Sequence, residues 1–462
     1  MASSASVPEF DPALIARYDL DGPGYAGYPT LPRFRVEFNE VALRAAIRAS
    51  NEEPIPRSLA LCVQVPVSAD ACIYCGSNRP VIEDRASAGR YLERLYREIE
   101  LMAPLFDRDR PVRQLLFGGG AQKFFGSVNM RELAESLARH FSFSHDPSRE
   151  YAIEVDPCCT TAADVSALGA LGFNQLSVSV QDFDASVQSA IARVHEVART
   201  RALLEAARTA QFRVTTIDLS YGLPAQTLAG FAQTLDQVIA LNPDRVAVYG
   251  YAHMPQVYAA QQQVDAADVP ASHARAALFG CALERLCAAG YCYLGMDHFA
   301  RADDALAQAQ AAGTLQRGFR GFSTQGDCDI VGLGVGAITR IGDSYSQGAQ
   351  DLLGYSTALD DGHLPITCGL HLDDDGVTRR ELVGTLMCHG VLDKVAFGER
   401  HRLHFDEYFA RERQRLQPLL ADGLVREDSA TLRVTSQGRL LLRIIAMCFD
   451  ANLDDEAQSP LP

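Results

Sequence analysis

From Ser58 to Pro255 the chain alternates short apolar runs with longer stretches whose apolar residues recur at helical spacing. The runs LALCVQVP (59–66), RQLLFGGG (113–120), YAIEVDP (151–157), NQLSVSVQDF (174–183), RVTTIDLSYGLP (213–224) and DRVAVYGYAHMP (244–255) read as strands. Between them RYLERLYREIELMAPL (90–105), a stretch near 128–141 and LAGFAQTLDQVIALNP (228–243) read as helices. Six strand–helix units in series predict an α/β fold with parallel strands joined by crossover helices. Functional groups in such folds gather at the C-terminal strand ends. Those ends are QVP, GGG, EVDP, VQDF, DLSYGLP and YAHMP, and each carries Gly, Pro or polar residues.

The pattern changes at both termini. Residues 1–57 are polar and irregular, with the turn-rich GPGYAGYPTLP at 22–32. From about residue 365 the alternation stops. TRRELVGTLMCHG and HFDEYFARERQRLQPLLADGLV read as helices, and LVREDSATLRVT reads as a β-hairpin. TSQGRLLLRIIAMCF reads as a helix with Thr435 or Ser436 as N-cap. Helix, helix, hairpin, helix is a winged-helix-like order, and a lid is the expected role. The divisions are an N-terminal extension (1–57), a barrel (58–300), a barrel-completing and connecting segment (301–364) and a C-terminal lid domain (365–462).

Composition narrows the function. The chain has 462 residues, with 42 basic against 58 acidic side chains and a formal net charge of -16. That balance speaks against nucleic acid and anionic membranes as partners, because phosphate neutralisation needs clustered Lys and Arg. No apolar run is long enough to span a bilayer. The N-terminal MASSASVPEFDPALIARYD lacks the basic and apolar regions of a secretory signal, so a cytoplasmic protein is expected. Twelve cysteines in such a chain do not suggest a disulfide scaffold. Cys281, Cys287, Cys292, Cys368, Cys388 and Cys448 read as small buried hydrophobes, whereas Cys328 has a polar setting.

The loop after the first strand, VPVSADACIYCGSN (65–78), holds Cys72 and Cys75 in C-x2-C spacing. That spacing alone also serves zinc and redox sites. Longer segments say more: GPGYAGYPT (22–30), IEVDP (153–157), GFNQLSVSVQDF (172–183), TIDLSYGLPAQT (216–227), LNPDRVAVYGYAHMP (241–255), GMDHFARADD (295–304), RGFRGFSTQGDCDIVGLGVGAI (317–338) and GRLLLRIIAMCFD (438–450). Through these segments, from about residue 10 to 455, the chain resembles the oxygen-independent coproporphyrinogen III oxidase family of haem biosynthesis, within the radical S-adenosylmethionine (SAM) superfamily.

The resemblance implies an incomplete (β/α)6 TIM-type barrel with an N-terminal extension and a mostly helical, winged-helix-like lid. It implies one [4Fe–4S] cluster and two SAM molecules. It implies a tetrapyrrole substrate, coproporphyrinogen III, two of whose propionates are oxidatively decarboxylated to vinyl groups, and an electron acceptor that it does not name. A monomer is expected. The implied SAM positions are Gly119, Gly120, Glu154, Gln181, Arg193, Asp218, Ala252 and Ile338, with Tyr74 at the second SAM. The bare residues agree in part: Glu154 and Asp218 sit at strand ends where carboxylates can hold ribose hydroxyls or an ammonium group, and glycines 118–120 admit a ligand close to the backbone.

Departures from the family cluster in two places. Ser68 stands where the first cysteine of the C-x3-C-x2-C cluster motif belongs, so the implied metal ligands are Ser68, Cys72 and Cys75. Cys62 replaces a SAM-contacting Tyr, Gln64 a His, and Ser77 a further Cys. The GGGTP signature reads through Gly120 into Ala121-Gln122, Ala192 replaces Asn, and Gly24 replaces Arg. A serine hydroxyl is a harder donor than a thiolate and holds its proton more tightly. Four readings therefore stand: an active decarboxylase with a weakened or relocated cluster ligand, Cys158 or Cys159 being the candidates; a non-catalytic relative that binds porphyrinogen, haem or SAM; a different metal or redox task for Cys72 and Cys75; and an ordinary family enzyme whose sequence here carries local errors. Four propionates call for arginines, and Arg33, Arg35, Arg317, Arg320, Arg379 and Arg380 are the candidates, each also readable as surface solvation.

Overall fold

The computed structural model describes residues 8–18, 25, 27–65, 73, 85–118, 120–319 and 321–453. Six strands, β1 (Leu59–Val63), β2 (Pro111–Phe117), β3 (Glu150–Val155), β4 (Gln175–Gln181), β5 (Val214–Tyr221) and β6 (Arg245–Gly250), lie side by side in chain order, each parallel to the next. Helices cross between them, as the alternation predicts. A hairpin of β7 (Tyr291–Gly295) and β8 (His298–Arg301) pairs antiparallel to β6 through β8. At the other edge β9 (Asp329–Leu333) pairs parallel to β1, so the connecting segment supplies a seventh parallel strand. Beyond it β10 (Ile338–Ile341), β11 (Ser344–Gly348) and β12 (Ile366–His371) run antiparallel. The outermost strands, β12 and β7, do not pair among the described residues, and the barrel stays open. β12 lies inside the stretch 365–462 yet belongs to this sheet.

Period-two alternation sorts the strand residues between two faces. Leu61, Phe117, Ile153, Val178, Ile217 and Val248 face the helices and form the large apolar core. The alternate positions face the barrel: Cys62 on β1, Leu116 on β2, Glu154 on β3, Ser177 on β4, Asp218 on β5 and Tyr249 on β6. The lower end is closed by a buried ion pair between Arg110 and Asp329, 2.6 Å apart with both side chains 1% exposed, joined by the Ser50 hydroxyl. A short ribbon, Gln316–Gly318 with Gly321–Ser323, also seats there: Ser323 Oγ and Thr324 N donate to Glu150, the first residue of β3.

The C-terminal part has its own apolar core. Its helices are Asp374–His389, Lys394–His401, Phe405–Tyr408, Ala410–Ala421 and Leu442–Phe449. The expected hairpin, Val425–Glu427 with Thr431–Val434, gains Val391–Asp393 as a third antiparallel strand. The run read as one helix from His404 breaks at Phe409, whose fully buried ring packs on Phe405 and Phe449 under the Arg379 guanidinium. Thr435 Oγ1 accepts from Gly438 N, but the run read as one helix from Thr435 divides into a 3-10 turn, Gly438–Leu441, and the helix Leu442–Phe449, whose N-cap Leu441 makes no side-chain cap.

The N-terminal residues are less irregular than their composition implies. Asp11 caps a helix, Pro12–Arg17, and Tyr18, Tyr25 and Tyr28 join the apolar core of the C-terminal part. Tyr25 donates to Asp450 at 2.7 Å, and Arg17 pairs with Asp422 at 2.8 Å. The first part of the extension is thus a strap that ties itself to the lid, whereas its helix Glu40–Asn51 packs Leu43 and Ile47 into the barrel core.

Candidate functional site at the barrel's C-terminal end

Asp218 and Glu154 come from different strands and meet inside the barrel. Ser177 on β4 lies opposite Glu154 in the sheet register, and its hydroxyl donates to Asp218 Oδ2. Burial, reinforced by the negative charge of Glu154, pushes the Asp218 carboxyl up to about 7 against the Ser177 hydrogen bond. Tyr249 follows on β6, 44% exposed, with its hydroxyl 3.5 Å from His298 Nε2. His298 Nδ1 donates to Met296 O, which leaves Nε2 as the acceptor. Burial and then the nearby Arg317 charge hold this imidazole down at about 4, so it is neutral. Asp297 beside it is raised to about 6 by burial, with Arg317 opposing.

Gln181 ends β4 in the left-handed region at φ 65, where the ladder shifts register. Its Nε2 donates to Ser179 Oγ at 2.7 Å, while its buried Oε1 has no partner among the described residues. Arg193 lies on the loop after the helix Ala185–Ala190 and pairs with Asp156, just beyond β3. Ala192 before it holds φ 53, a conformation that suits Asn far better than Ala. Gly120 caps the helix Ala121–His140, which follows β2, at φ 91, and a Cβ on Gly118 would stand 3.1 Å from Gln64 Oε1. Ala121 is fully buried at the start of that helix, whose regular part begins after Gly126. Ile338 opens β10 and packs against Gly332, where any Cβ would lie 2.5 Å from the Ile338 carbonyl oxygen. Ala252 is exposed beyond β6, its carbonyl accepting from Gln261.

Cys62 points into the barrel, buried in an apolar cluster with Ala60, Cys328, Ile330 and Leu116. Cys328 is therefore buried despite its polar neighbours in sequence. Of the cysteines read as buried hydrophobes, Cys388 and Cys448 are buried, and Cys281, Cys287, Cys292 and Cys368 are half-buried. Ser68, Cys72, Tyr74, Cys75, Ser77, Gly119, Gly24 and Arg320 lie outside the described residues.

The arginine candidates separate. Arg317 and Arg380 line a cavity of about 130 Å³ between the strap residues Tyr25 and Tyr28 and the lid helix Asp374–His389. Arg340, which the sequence reading missed, lines it too, and with Arg317 it also lines an adjoining cavity of about 100 Å³. Arg317 Nε and Nη1 are buried without partners among the described residues, and its guanidinium covers Phe322 at 4.7 Å. Arg379 instead is held by Asp375, Glu412 and the Phe449 carbonyl within the lid. Arg33 donates to Asn452 O, and Arg35 is exposed. Tyr249, Asp297 and His298 were also missed as site residues, although LNPDRVAVYGYAHMP and GMDHFARADD marked their segments.

Two family profiles match the chain: the Radical SAM superfamily over residues 68–238 and the HemN C-terminal domain over residues 372–441. The oxygen-independent coproporphyrinogen III oxidase of Pseudomonas aeruginosa is 44% identical over 444 residues, 96% of each chain. The Escherichia coli protein of the same name is 40% identical over 450 residues, 97% of each. This chain belongs to the oxygen-independent coproporphyrinogen III oxidase family. A solved structure of the Escherichia coli coproporphyrinogen III oxidase, described as a radical SAM enzyme, superposes with a TM-score of 0.92 at 40% identity, covering 97% of this chain and 100% of the other. The fold is accordingly the α/β radical SAM barrel with a helical C-terminal part.

Membership in the oxidase family implies SAM and a [4Fe–4S] cluster. The barrel end suits the nucleoside: Glu154, Asp218 and the bare Gln181 Oε1 are acceptors for hydroxyl or ammonium protons, and Gly118 and Gly120 allow close backbone approach. The sequence does not carry the full three-cysteine motif: Cys72 and Cys75 stand at two of its positions and Ser68 at the third. A hard, reluctantly ionised oxygen does not complete a soft three-thiolate anchor.

Proposed function

We propose that this chain binds SAM at the C-terminal end of its barrel and a coproporphyrinogen-type tetrapyrrole beneath the lid, and that Ser68 restricts its oxidative decarboxylase activity. The carrying observation is the group of half-buried cations, Arg317, Arg340 and Arg380, around a cavity between the strap and the lid: Arg317 Nε and Nη1 and Arg340 Nε have no partner among the described residues, while Arg380 is paired with Asp343. Buried guanidinium groups without full hydrogen bonding are costly unless a bound anion satisfies them, and propionates have that geometry. Glu154, Asp218, Gln181 and Arg193 are the SAM-binding side chains in this reading, with Gly119, Gly120, Ala121, Ala252 and Ile338 shaping the pocket, Cys62 at its wall and Tyr74 at a second SAM. One cluster and two SAM molecules per chain, and a monomer working in the cytoplasm, complete it. No described helix is long and apolar enough to cross a membrane.

Anaerobic reconstitution of the wild type beside Ser68→Cys tests this reading. The expected result is that both proteins bind SAM and coproporphyrin in calorimetry and fluorescence quenching. Ser68→Cys is expected to hold about four irons and to show a reduced-cluster EPR signal perturbed by SAM, and the wild type to hold less iron and turn over more slowly. Failure of the wild type to bind either ligand overturns the binding reading. Equal iron content and turnover in the two proteins overturns the role given to Ser68.

A further inference from the structure

Two loops at the C-terminal end of the barrel bring Asp156, Cys158 and His195 together. Asp156 follows β3 and sets the turn: its Oδ1 accepts from Cys158 N at 2.8 Å, and its carbonyl accepts from Cys159 N and Thr160 N. A capping box between Thr161 and Asp164 then starts the next helix and fixes the far side of the turn. The second loop, 191–195, is pinned from below by the buried Gln188. Its carbonyl accepts from Arg193 N, and its Nε2 donates to His195 O at 2.8 Å. The His195 side chain is fully buried. Both loops are therefore preorganised by hydrogen bonds to their backbone groups, from side chains as well as main chain.

The three side chains offer sulfur, nitrogen and oxygen to one point. Cys158 Sγ lies 3.3 Å from His195 Nδ1, Asp156 Oδ1 lies 3.9 Å from the same nitrogen, and all three atoms fall within 4.8 Å of one another. Tetrahedral zinc, with bonds of about 2.3 Å to sulfur and about 2.0 Å to nitrogen or oxygen, requires ligand separations of roughly 3.3–3.6 Å. The observed spacing is close to that. A nucleophilic Cys–His–Asp relay is arranged differently, with the thiol at one ring nitrogen and the carboxylate at the other. Here both face Nδ1, and Nε2 is buried with no partner among the described residues. One ring nitrogen shared by a thiol and a carboxylate is the arrangement a cation satisfies.

We propose that Asp156, Cys158 and His195 form a site for a borderline-soft divalent cation of the zinc class, separate from Cys72 and Cys75. Sulfur and nitrogen donors exclude magnesium and calcium as the preferred occupant. On binding, the Cys158 thiol proton leaves to solvent, the metal–sulfur bond forms, and the sulfur turns from the Val194 carbonyl it meets at 2.9 Å. Arg193 holds the other Asp156 oxygen and orients the carboxylate as an outer partner. The bound ion would join the turn after β3 to the 191–195 loop and so fix Arg193 at the rim of the barrel. The fourth coordination position is open to water.

Cobalt(II) titration of the full-length chain provides the test, with Cys72→Ala/Cys75→Ala as the background that removes the other thiol pair. The expected result is one equivalent of cobalt bound with a thiolate-to-cobalt charge-transfer band, lost in Cys158→Ala and in His195→Ala placed on that background. Circular dichroism of the metal-free variants confirms that they remain folded. A cobalt band that survives Cys158→Ala, or no band in the double-alanine background, overturns the site. Loss of the band in Cys72→Ala/Cys75→Ala with retention in the wild type would join Cys158 to those cysteines in one centre and equally overturn a separate site.

Discussion

Glu98→Gln isolates one buried carboxyl that supports the site. Glu98 is 2% exposed, and its Oε2 accepts from Gly334 N and from Tyr355 Oη, each at 2.7 Å. Gly334 begins the loop that leads to Ile338, and it lies so close to the carbonyl of Gln64 that a Cβ would approach to 2.3 Å. Tyr91 also donates to that carbonyl, so Glu98 helps clamp the loop after β9 to the end of β1. Burial raises the Glu98 carboxyl from 4.5 to about 7, outweighing both hydrogen bonds. In the unfolded chain the group ionises near its ordinary value. Between these values the unfolded state holds fewer protons, so raising the pH favours unfolding. The shift corresponds to about 3 kcal/mol of stability, present at low pH and lost by pH 7 at about 1.4 kcal/mol per pH unit. Glutamine keeps an acceptor for both donors and has no proton to lose. Urea unfolding of both proteins between about pH 5 and 8 should therefore show Glu98→Gln gaining on the wild type as the pH rises. Asp218 and Asp297 titrate identically in the two proteins and cancel in the difference. Parallel stability profiles would refute the reasoning.

Other outcomes follow from the same structure. Arg110→Met leaves Asp329 charged and buried, and chemical denaturation should show a loss of about 3–5 kcal/mol. Ala192→Asn relieves the left-handed strain at φ 53 and should stabilise by about 1 kcal/mol, seen as a raised Tm. Arg317→Met removes a charge-assisted anion contact and should weaken coproporphyrin binding by about 10- to 100-fold in fluorescence titration, with the fold unchanged by circular dichroism. Because Asp218 ionises near 7, calorimetric SAM affinity should rise from about pH 6 to 8 in the wild type and stay flat in Asp218→Asn.

The six parallel strands and their helices were legible because alternation and turn residues are local properties of the chain. The same period placed Glu154 and Asp218 toward one interior, since side chains two apart share a face. The lid's hairpin was legible for the same reason, and its final helix only from Leu442 onward, since a 3-10 turn precedes it. For the seventh parallel strand the sequence offered only a barrel-completing segment, 301–364, and not its pairing: β9 lies far along the chain and joins β1, and no local pattern states which edge a late strand will join. Nor could alternation tell that the polar-looking extension straps the lid, because Tyr18, Tyr25 and Tyr28 find their apolar partners only in the C-terminal core.

Sequence by itself determined the family, the order of the barrel strands and the serine at the first position of the cysteine motif, all of which reside in residue identity and local spacing. Tertiary structure decided which side chains converge. It left Arg317 and Arg380 on a shared cavity and committed Arg379 to the lid. It brought His298 to Tyr249, and His195 to Cys158 across 37 positions of chain. These meetings depend on where separate loops fold back, and packing and hydrogen bonding settle that only once the whole barrel has formed.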